Sequence, residues 1–411
     1  MSALQNYTKE QMSARIEELQ QRYGEYKARG LKLDMSRGKP GPDQLDLTMG
    51  MLDCVNSRDG YTSKDGTDTR NYGIVDASQV IVGGNSSLNM MFDFIAMACS
   101  RGLLGHQPWT LQGGVKFLCP SPGYDRHFAV TEYFGIELIA VDMTPVGPDM
   151  SQVEKYAADP KVKGIWCVPM YSNPDGITFS DETVRRLAAL NAAAPDFVIM
   201  WDNAYCLHHL YDSADKLLNL YNESKLYGNE NRVVMFASTS KISFPGAGVA
   251  AMAASPAVIA EVKRRMSFQT IGYDKINMLR HSRFFGDFVG IVNHMKLHAA
   301  VLRPKFETVL SLLEKDLGGK NIAEWNSPRG GYFVSISLLD GCAGDTVRLL
   351  KEAGVAMTPA GATYPYGRDP RDRNIRIAPT YPPLEELKTA MELFCICAEL
   401  VCLKKILSSA L

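Results

Sequence analysis

Short apolar runs alternate with helical sequence from about residue 78 onward, and this alternation constrains the fold more than any other feature of the chain. The runs have the length and apolar content of β-strands, and they cover residues 80–82, 115–119, 136–141, 165–168, 197–201, 233–237 and 249–253. Strands that alternate with helices form mainly parallel sheets. The sequence therefore predicts an α/β fold whose large domain contains a mainly parallel central sheet.

Two segments outside this alternating region have helical patterns. Thr8 and Gln11 form a capping-box pair, and the apolar residues after them recur at helical spacing until Gly30. A second helical pattern extends from about residue 283 to residue 313 and is interrupted at most by Pro304. We expect an amphipathic helix near the N-terminus and one long helix between the two halves of the chain.

The C-terminal sequence predicts a smaller α+β domain, with strands near residues 333–336 and 375–378. A chain of 411 residues exceeds the size at which one hydrophobic core stops growing. We therefore expect a large domain at residues 55–290 and a small domain made of residues 1–54 and 291–411, joined by the long helix.

Charge and cysteine content narrow the range of partners. Lys and Arg number 44 against 45 Asp and Glu, so the chain has no basic field that would attract nucleic acid or an anionic membrane. The nine cysteines form no CxxC pair, and the most apolar stretch, residues 393–403, is shorter than the roughly 20 residues that span a bilayer. These features predict a cytoplasmic protein with reduced thiols and a small-molecule partner.

Polar residues follow the predicted strands, at the edge where open α/β sheets bind their ligands. After the first strand comes GGNSSL (residues 83–88), in which glycines and small hydroxyls open a helix and suit a phosphate. The next strands are followed by PSPGY, PMYSNPDG, DNAY and STSK. Together these segments present Asn85, Ser86, Ser87, Tyr124, Asn173, Asp202, Tyr205, Ser238, Ser240 and Lys241 at strand ends.

This order of elements resembles the fold type I enzymes that use pyridoxal 5′-phosphate (PLP), and specifically the class I aminotransferases. The family has a small-residue phosphate turn, an aromatic ring stacker, an Asn before Pro, an Asp with a Tyr three residues later, and Ser-x-x-Lys in this sequence order. The phrases SRGKP (residues 36–40) and GYDKINMLRH (residues 272–281) resemble a bacterial aspartate aminotransferase subgroup related to MocR-type proteins.

The resemblance implies a role for each residue around the cofactor ring. Lys241 would hold PLP covalently and move the proton of the substrate's Cα. Asp202 would keep the pyridine nitrogen protonated. Tyr205 and Asn173 would hydrogen-bond the phenolic oxygen, and Tyr124 would stack on the ring.

The phosphate would be held by small polar residues. The resemblance implies that these are Asn85, Ser86, Ser87, Ser238 and Ser240. Tyr72 would reach the phosphate from a neighbouring subunit, which implies a homodimer.

One departure from the family pattern lies close to this phosphate site. Most class I enzymes carry a phosphate-binding arginine in a Pro-Gly-x-Arg phrase after the lysine. Here the phrase is SKISFPGAGVA, and Gly248 stands where that arginine would be. Another cation, or the hydroxyls and backbone N–H groups, would then balance the phosphate charge.

Substrate binding is assigned in the same way. Arg376 resembles the family's α-carboxylate arginine, because a guanidinium offers two parallel N–H groups to a carboxylate. Gly38 and Asn173 would adjoin the same carboxylate. An acidic substrate also needs a cation for its distal carboxylate, and the candidates are Arg37, which is the first choice, and Lys39, Lys275 and Arg280. The implied reaction is ping-pong transamination from aspartate, or another acidic amino acid, to 2-oxoglutarate.

Three other interpretations stay open at this point. The fold also supports β-lyases, decarboxylases and synthases. A PLP-binding sensor domain without turnover is a second alternative, although the first 75 residues predict no helix-turn-helix. Gly246, Gly248 and Ala251 fit the GxGxxA pattern of nicotinamide enzymes, but they precede a strand instead of opening a helix. His208 and His209 are adjacent, face different directions and are interpreted as structural, so no metal site is expected.

Overall fold

The computed structural model describes residues 7–58, 60–71 and 77–409. The strands are β1 (Leu33–Asp34), β2 (Val80–Val82), β3 (Lys116–Ser121), β4 (Glu137–Thr144), β5 (Gly147–Pro148), β6 (Val162–Cys167), β7 (Val198–Asp202), β8 (Val233–Ser238), β9 (Ala250–Ala254), β10 (Ala323–Trp325), β11 (Val334–Leu338), β12 (Val355–Ala356) and β13 (Asn374–Ile377). The helices are α1 (Lys9–Ala28), α2 (Pro42–Asp46), α3 (Ser87–Arg101), α4 (Asp125–Tyr133), α5 (Met150–Ala157), α6 (Asp181–Ala188), α7 (Leu220–Lys225), α8 (Pro256–Met266), α9 (Lys275–Phe285), α10 (Phe288–Leu317), α11 (Ala343–Glu352) and α12 (Leu384–Ser409).

The central sheet has eight strands in the order β2-β9-β8-β7-β6-β3-β4-β5. Strands β8, β7, β6, β3 and β4 are parallel, whereas β9 is antiparallel to both of its neighbours and β5 is antiparallel to β4. Every predicted run between residues 80 and 253 overlaps one of these strands. The predicted α/β fold with a mainly parallel sheet is confirmed.

Both faces of this sheet are covered, as a parallel sheet requires. On one face Phe94 of α3 and Val258 of α8 pack with Trp166 and Phe236 of the sheet. On the other face α5, α6 and α7 pack against side chains that include Trp201. Because both faces are buried, the open end of the sheet at the carboxyl ends of its parallel strands is the place where polar groups can gather.

A second region is built on the antiparallel sheet β10-β11-β13 and the helices α1, α10, α11 and α12. Helix α1 begins after its N-cap Thr8, which forms the predicted capping box with Gln11, and it ends before Gly30, whose φ is +62°. Helix α12 is buried on almost every side between Leu387 and Leu403. The N-terminal helix is therefore part of the C-terminal core.

One buried acid in this C-terminal core is fully paired. Glu399 is 3% exposed, and its carboxylate accepts hydrogen bonds from Arg15 Nε at 2.9 Å and from Arg15 Nη2 at 2.8 Å. Lys320 Nζ lies 2.8 Å from Oε2 of the same carboxylate. Burial alone would raise the pKa of Glu399, but the bonds from Arg15 and Lys320 outweigh it, and the pKa lies below its ordinary value.

The long helix expected from residue 283 to residue 313 is two helices. Helix α9 ends at Phe285, Gly286 adopts φ +72°, and the side chain of Asp287 caps α10 by accepting from Gly290 N at 2.9 Å. Pro304 lies inside α10 and does not end it. The break comes from a glycine followed by an N-cap aspartate, a helix-stop and helix-start pair. None of the helices in the described part of the chain is long and apolar enough to cross a membrane.

Candidate active site

A cavity of about 730 Å³ opens at the carboxyl edge of the parallel strands, between the sheet, residues 36–39 and β13. It brings together most of the residues that the sequence singles out. They are Arg37, Gly38, Ser86, Ser87, Tyr124, Asn173, Asp202, Tyr205, Ser238, Ser240, Lys241 and Arg376. The strand-end prediction therefore identified one physical site.

The remaining candidate residues differ in their position relative to this cavity. The side chain of Asn85 turns away and donates from Nδ2 to the carbonyl oxygen of Pro245 at 3.1 Å, so only its backbone adjoins the site. Lys39 lines the cavity, whereas Lys275 and Arg280 are not in its wall. Tyr72 lies outside the described residues.

Asp202 ends β7 and is 4% exposed. Its Oδ2 lies 3.0 Å from Nε2 of His127, whose ring stacks on Trp166 with 4.3 Å between the ring centroids. Its Oδ1 is buried and has no hydrogen-bond partner among the residues that the structure describes. Since a buried polar atom without a partner costs free energy, Oδ1 is an acceptor that a ligand can satisfy.

Lys241 lies on the turn after β8. Its Nζ is 5.0 Å from the centroid of the Tyr205 ring and 5.9 Å from that of Tyr332. Burial lowers the pKa of Lys241, and the charge of Asp202 opposes this effect. The result is an amine that loses its proton more readily than a lysine in water and is correspondingly more nucleophilic.

Arg376 extends from β13 with 7% of its surface exposed. Its Nη1 donates to Asp125 Oδ1 at 2.9 Å and to Asn173 Oδ1 at 3.1 Å. Its Nη2 donates to Thr358 Oγ1 at 3.3 Å, and its buried Nε has no partner among the described residues. The guanidinium is thus held in one orientation at the cavity wall.

Gly38 allows residues 36–39 to pack closely against the ring of Phe333, which lies beside Arg376. A Cβ at this position would lie 2.2 Å from Cζ of Phe333, so any other residue would collide with that ring. The Phe333 ring in turn lies 4.8 Å from Cζ of Arg376, within the range of a cation–π contact. The glycine lets Phe333 close the cavity beside the arginine.

A group of small hydroxyls lies at the N-terminus of α3. Ser86 is the N-cap, and its Oγ accepts from Asn89 N at 3.4 Å. Ser238 Oγ donates to Ser240 Oγ at 3.1 Å, and Ser240 Oγ donates to the backbone oxygen of Asn85 at 3.0 Å. Hydroxyls and a helix N-terminus at one place suit an anion.

Two tyrosines face the same cavity. Burial raises the pKa of Tyr124 and that of Tyr205, and the charge of Asp202 adds to the effect on both. Both phenols therefore stay protonated at neutral pH. Each presents an O–H group that can donate a hydrogen bond.

The family model described as aspartate amino-transferase matches residues 7–409 of this chain. An aspartate aminotransferase of Corynebacterium glutamicum is 41% identical over 407 residues, which cover 95% of this chain and 94% of that protein. A protein of Mycolicibacterium smegmatis, named as an aminotransferase, is 46% identical over 410 residues, which cover 95% and 96%. This chain belongs to the aspartate aminotransferase family.

A solved structure supports the same family assignment at the level of the fold. The crystal structure of an aspartate transaminase from Corynebacterium glutamicum matches it with a TM-score of 0.95 at 40% identity, over 98% of this chain and 99% of that one. The α/β architecture with its large, mostly parallel sheet is that of fold type I aminotransferases. The protein is a transaminase.

Sequence reasoning missed four polar residues of this aspartate aminotransferase family member's site. Asp125, Arg126 and Thr358 line the cavity, and His127 supports Asp202. The first three residues of α4 follow Tyr124 directly, so the phrase YDRH carried a signal. A cavity residue that is the N-cap of a helix brings the first turn of that helix to the cavity. Thr358 had no such signal, because only the fold brings it to Arg376.

Gly248 lies beside the serines, where most class I enzymes have their phosphate arginine. A Cβ there would lie 3.0 Å from Thr239 Oγ1 and 3.2 Å from the backbone oxygen of Phe244, which leaves little room for a side chain. Asn277 Nδ2 donates to the backbone oxygens of Ala247 and Gly248 at 3.0 and 2.8 Å. The turn at Gly248 therefore carries no cationic side chain, and the side chain of Asn277 binds its backbone.

The two adjacent histidines have separate partners. His208 Nε2 lies 3.3 Å from the backbone oxygen of Lys241, and burial lowers the pKa of His208 to about 3. His209 Nδ1 lies 2.8 Å from the hydroxyl of Tyr171. His208 is thus a neutral ring behind Lys241, and the two histidines bind different protein groups.

Proposed function

We propose that this transaminase uses PLP and transfers the amino group of L-aspartate, or of another acidic amino acid, to 2-oxoglutarate by a ping-pong mechanism. One observation carries the proposal. A single cavity holds an amine with a lowered pKa, a buried carboxylate oxygen without a partner, and a buried guanidinium, supplied by Lys241, Asp202 and Arg376. The relatives named above support the amino donor.

The described residues fit PLP. The partnerless Oδ1 of Asp202 suits a protonated pyridine nitrogen, and the amine of Lys241 suits an aldehyde. Ser86, Ser87 and Ser238 suit the phosphate. When bound, PLP supplies an aldehyde for an amino group and a ring that accepts the electron pair left at the substrate's Cα.

The chain's own residues perform the remaining tasks around the ring. Lys241 Nζ accepts the proton that leaves the substrate's Cα, because its lowered pKa leaves a larger fraction unprotonated near neutral pH. His127 donates to Asp202 and fixes the direction of that carboxylate. Tyr205 and Asn173 would hydrogen-bond the phenolic oxygen of PLP, and Tyr124 would cover its ring.

The phosphate would be held in a different way from that of most class I enzymes. Ser86, Ser87, Ser238 and Ser240, the backbone of Asn85 and the N–H groups at the start of α3 would surround it, and position 248 is a glycine instead of an arginine. Helix N-termini bind anions without a side-chain cation. We assign the charge balance to this helix end and to the cations that line the cavity.

Arg376 binds the substrate's α-carboxylate, with Asn173 and Gly38 beside it. Of the four cations considered for the distal carboxylate, Arg37 and Lys39 line the cavity. Lys39 Nζ lies 3.7 Å from the centroid of the Tyr381 ring, so its charge is already in a cation–π contact. The side chain of Arg37 has no hydrogen-bond or ion-pair partner in the described part of the chain, and Arg37 remains our choice.

We further propose a homodimer, in which Tyr72 of one subunit reaches the phosphate of the other. Large apolar side chains support this: Met49 and Leu52 are 50% and 46% exposed, and Phe288 and Val289 at the start of α10 are 66% and 61% exposed. A second copy of the chain would cover such exposed side chains. Sedimentation of the holoenzyme at several concentrations measures the mass directly.

We also propose a subgroup, a cellular compartment and a division into domains for this protein. The phrases SRGKP and GYDKINMLRH support a place among class I enzymes, in the subgroup related to MocR-type proteins. Nine free cysteines suit a reducing cytoplasm. The division into a large PLP-binding domain at residues 55–290 and a small domain at residues 1–54 and 291–411 is likewise our proposal.

The test is an absorbance titration of the purified protein. We expect PLP to produce a bound chromophore and L-aspartate to convert it to the pyridoxamine form, with 2-oxoglutarate restoring the first spectrum. L-alanine and D-aspartate are the matched controls, because one lacks the distal carboxylate and the other has the wrong hand. A chromophore that ignores every amino acid would indicate a binder without turnover, and the absence of a chromophore with added PLP would refute the cofactor.

A further inference from the structure

Asp125 is the one charged partner of Arg376 among the described residues. The two side chains are joined by a bond of 2.9 Å, and the Asp125 side chain is 33% exposed while that of Arg376 is 8% exposed. The other two partners, Asn173 and Thr358, are neutral and only 4% and 6% exposed. The α-carboxylate arginine therefore already carries a carboxylate.

An arriving carboxylate cannot simply add to this arrangement. Bidentate binding across the end of a guanidinium uses one N–H from each terminal nitrogen. Both protons of Arg376 Nη1 are engaged, by Asp125 and by Asn173. The partnerless Nε is buried against protein atoms and does not offer an alternative edge. One of the present partners has to leave.

Asp125 is the partner best suited to leave. It presents to Arg376 the same chemical group as the ligand, whereas Asn173 and Thr358 are buried neutral groups that would lose their hydrogen bond. Asp125 is also the first residue of α4, so its side chain can rotate away while the backbone stays in place. The neighbouring Arg126 lines the same cavity and has no ion-pair or hydrogen-bond partner in the described ranges.

We propose that Asp125 is an internal competitor for the substrate's α-carboxylate, which holds Arg376 in the substrate-free enzyme and leaves Nη1 when that carboxylate binds. The inference rests on the proposed function, in which Arg376 receives the α-carboxylate. Substrate binding exchanges one ion pair for another, so the α-carboxylate contributes less affinity than an unpaired arginine would provide. Asp125 thereby sets the affinity of the site without taking part in the chemistry.

The experiment is calorimetric titration of the PLP-loaded enzyme with succinate and with butyrate, which have no amino or oxo group to react. We expect Asp125→Asn to bind both ligands about fivefold more tightly than the unmodified enzyme, the scale of a partly exposed ion pair. Asn keeps the size of the side chain, and a thermal melt checks that the variant is folded. Asp340→Asn is the matched control, because Asp340 also pairs with an arginine but lies outside the cavity.

Unchanged or weaker binding by Asp125→Asn would overturn the proposal, since Asp125 would then serve to position Arg376. Adding Arg376→Ala to the Asp125 variant should abolish the gain, and a gain that persists would also overturn it. Failure of the proposed function gives a separate result: butyrate would bind the unmodified enzyme as tightly as succinate, while the effect of Asp125→Asn on both ligands would remain. Binding of neither ligand by either variant would refute both.

Discussion

The C-terminal core and the cavity each bury a carboxylate, and the two are surrounded differently. Glu399 receives bonds from Arg15 and Lys320 on both of its oxygens. Asp202 is as deeply buried, but His127 reaches only Oδ2, and Oδ1 has no partner among the described residues. The same chain satisfies one buried acid completely and the other by half.

This difference indicates that the charge of Glu399 stabilises the fold, whereas the charge of Asp202 is available to bind a ligand. Leaving a buried acceptor without a hydrogen bond costs about 1–3 kcal/mol. Glu399 avoids this cost because Arg15 and Lys320 bind both of its oxygens. The cavity leaves Oδ1 of Asp202 without a partner among the described residues, at a position where a bound molecule can supply one.

The largest effect should come from Lys241→Ala. Because the cavity would lose the amine to which we assign both the attachment of the cofactor and the acceptance of the Cα proton, we expect turnover to fall by about a thousandfold or more. Transamination of L-aspartate measures the loss, and the melting temperature should stay near that of the unmodified enzyme. Lys388→Ala, on the exposed side of α12, is the control, and full activity of Lys241→Ala would refute the assignment.

Asp202→Asn tests the cavity side of the comparison directly. We expect the turnover number to fall by about a hundredfold or more and PLP to bind more weakly, because a neutral amide cannot stabilise a protonated pyridine nitrogen. Folding stability should be unchanged or higher, since the substitution removes a buried charge that forms no ion pair with a lysine or arginine in the described part of the chain. Denaturant melts of the apoprotein and PLP titrations measure the two effects, and a variant that loses stability but keeps its rate would reverse the comparison.

Glu399→Gln tests the other side and should have the opposite profile. Removing the carboxylate leaves Lys320, which is 6% exposed, without its charge partner, and we expect the free energy of unfolding to fall by about 3 kcal/mol. The turnover number of the folded enzyme should not change, because Glu399 does not line the cavity. Urea unfolding followed by circular dichroism gives the stability. Unchanged stability would show that the paired acid is not needed for folding.

The smallest effect concerns pH and uses the same pair of proteins. The folded state lowers the pKa of Glu399, so its contribution is present above the unfolded pKa, near 4.3, and is lost as the pH falls through the lower folded value. We expect the unmodified enzyme to lose more stability than Glu399→Gln when the pH is lowered from 5 to 3. Parallel loss in both proteins would assign the acid sensitivity to other groups.

The sheet and the strand ends were predictable because they depend on local patterns. Runs of apolar residues at strand length predicted every strand of the central sheet except β5, which has two residues and no apolar run. The polar phrases after the strands predicted the composition of the cavity, since parallel strands bring their carboxyl ends to one edge.

Other features depend on tertiary contacts that no local pattern contains. The break between α9 and α10 depends on Gly286 and Asp287, a short signal inside an otherwise continuous helical pattern. The bond between Asp125 and Arg376 joins residues 251 positions apart. The family resemblance predicts that Arg376 binds the substrate's carboxylate, but only the fold shows that Asp125 already pairs with it.

Helix α10 connects the two regions mechanically. Near its start, His294 Nε2 lies 2.9 Å from the backbone oxygen of Ile242, the residue after Lys241, and its last turns pack into the C-terminal core. Pro304 lies between these ends and lacks the N–H that would bond to the carbonyl four residues earlier. The turn around Pro304 is therefore the most flexible part of α10. We expect the helix to bend there, and this bending would move the backbone next to Lys241.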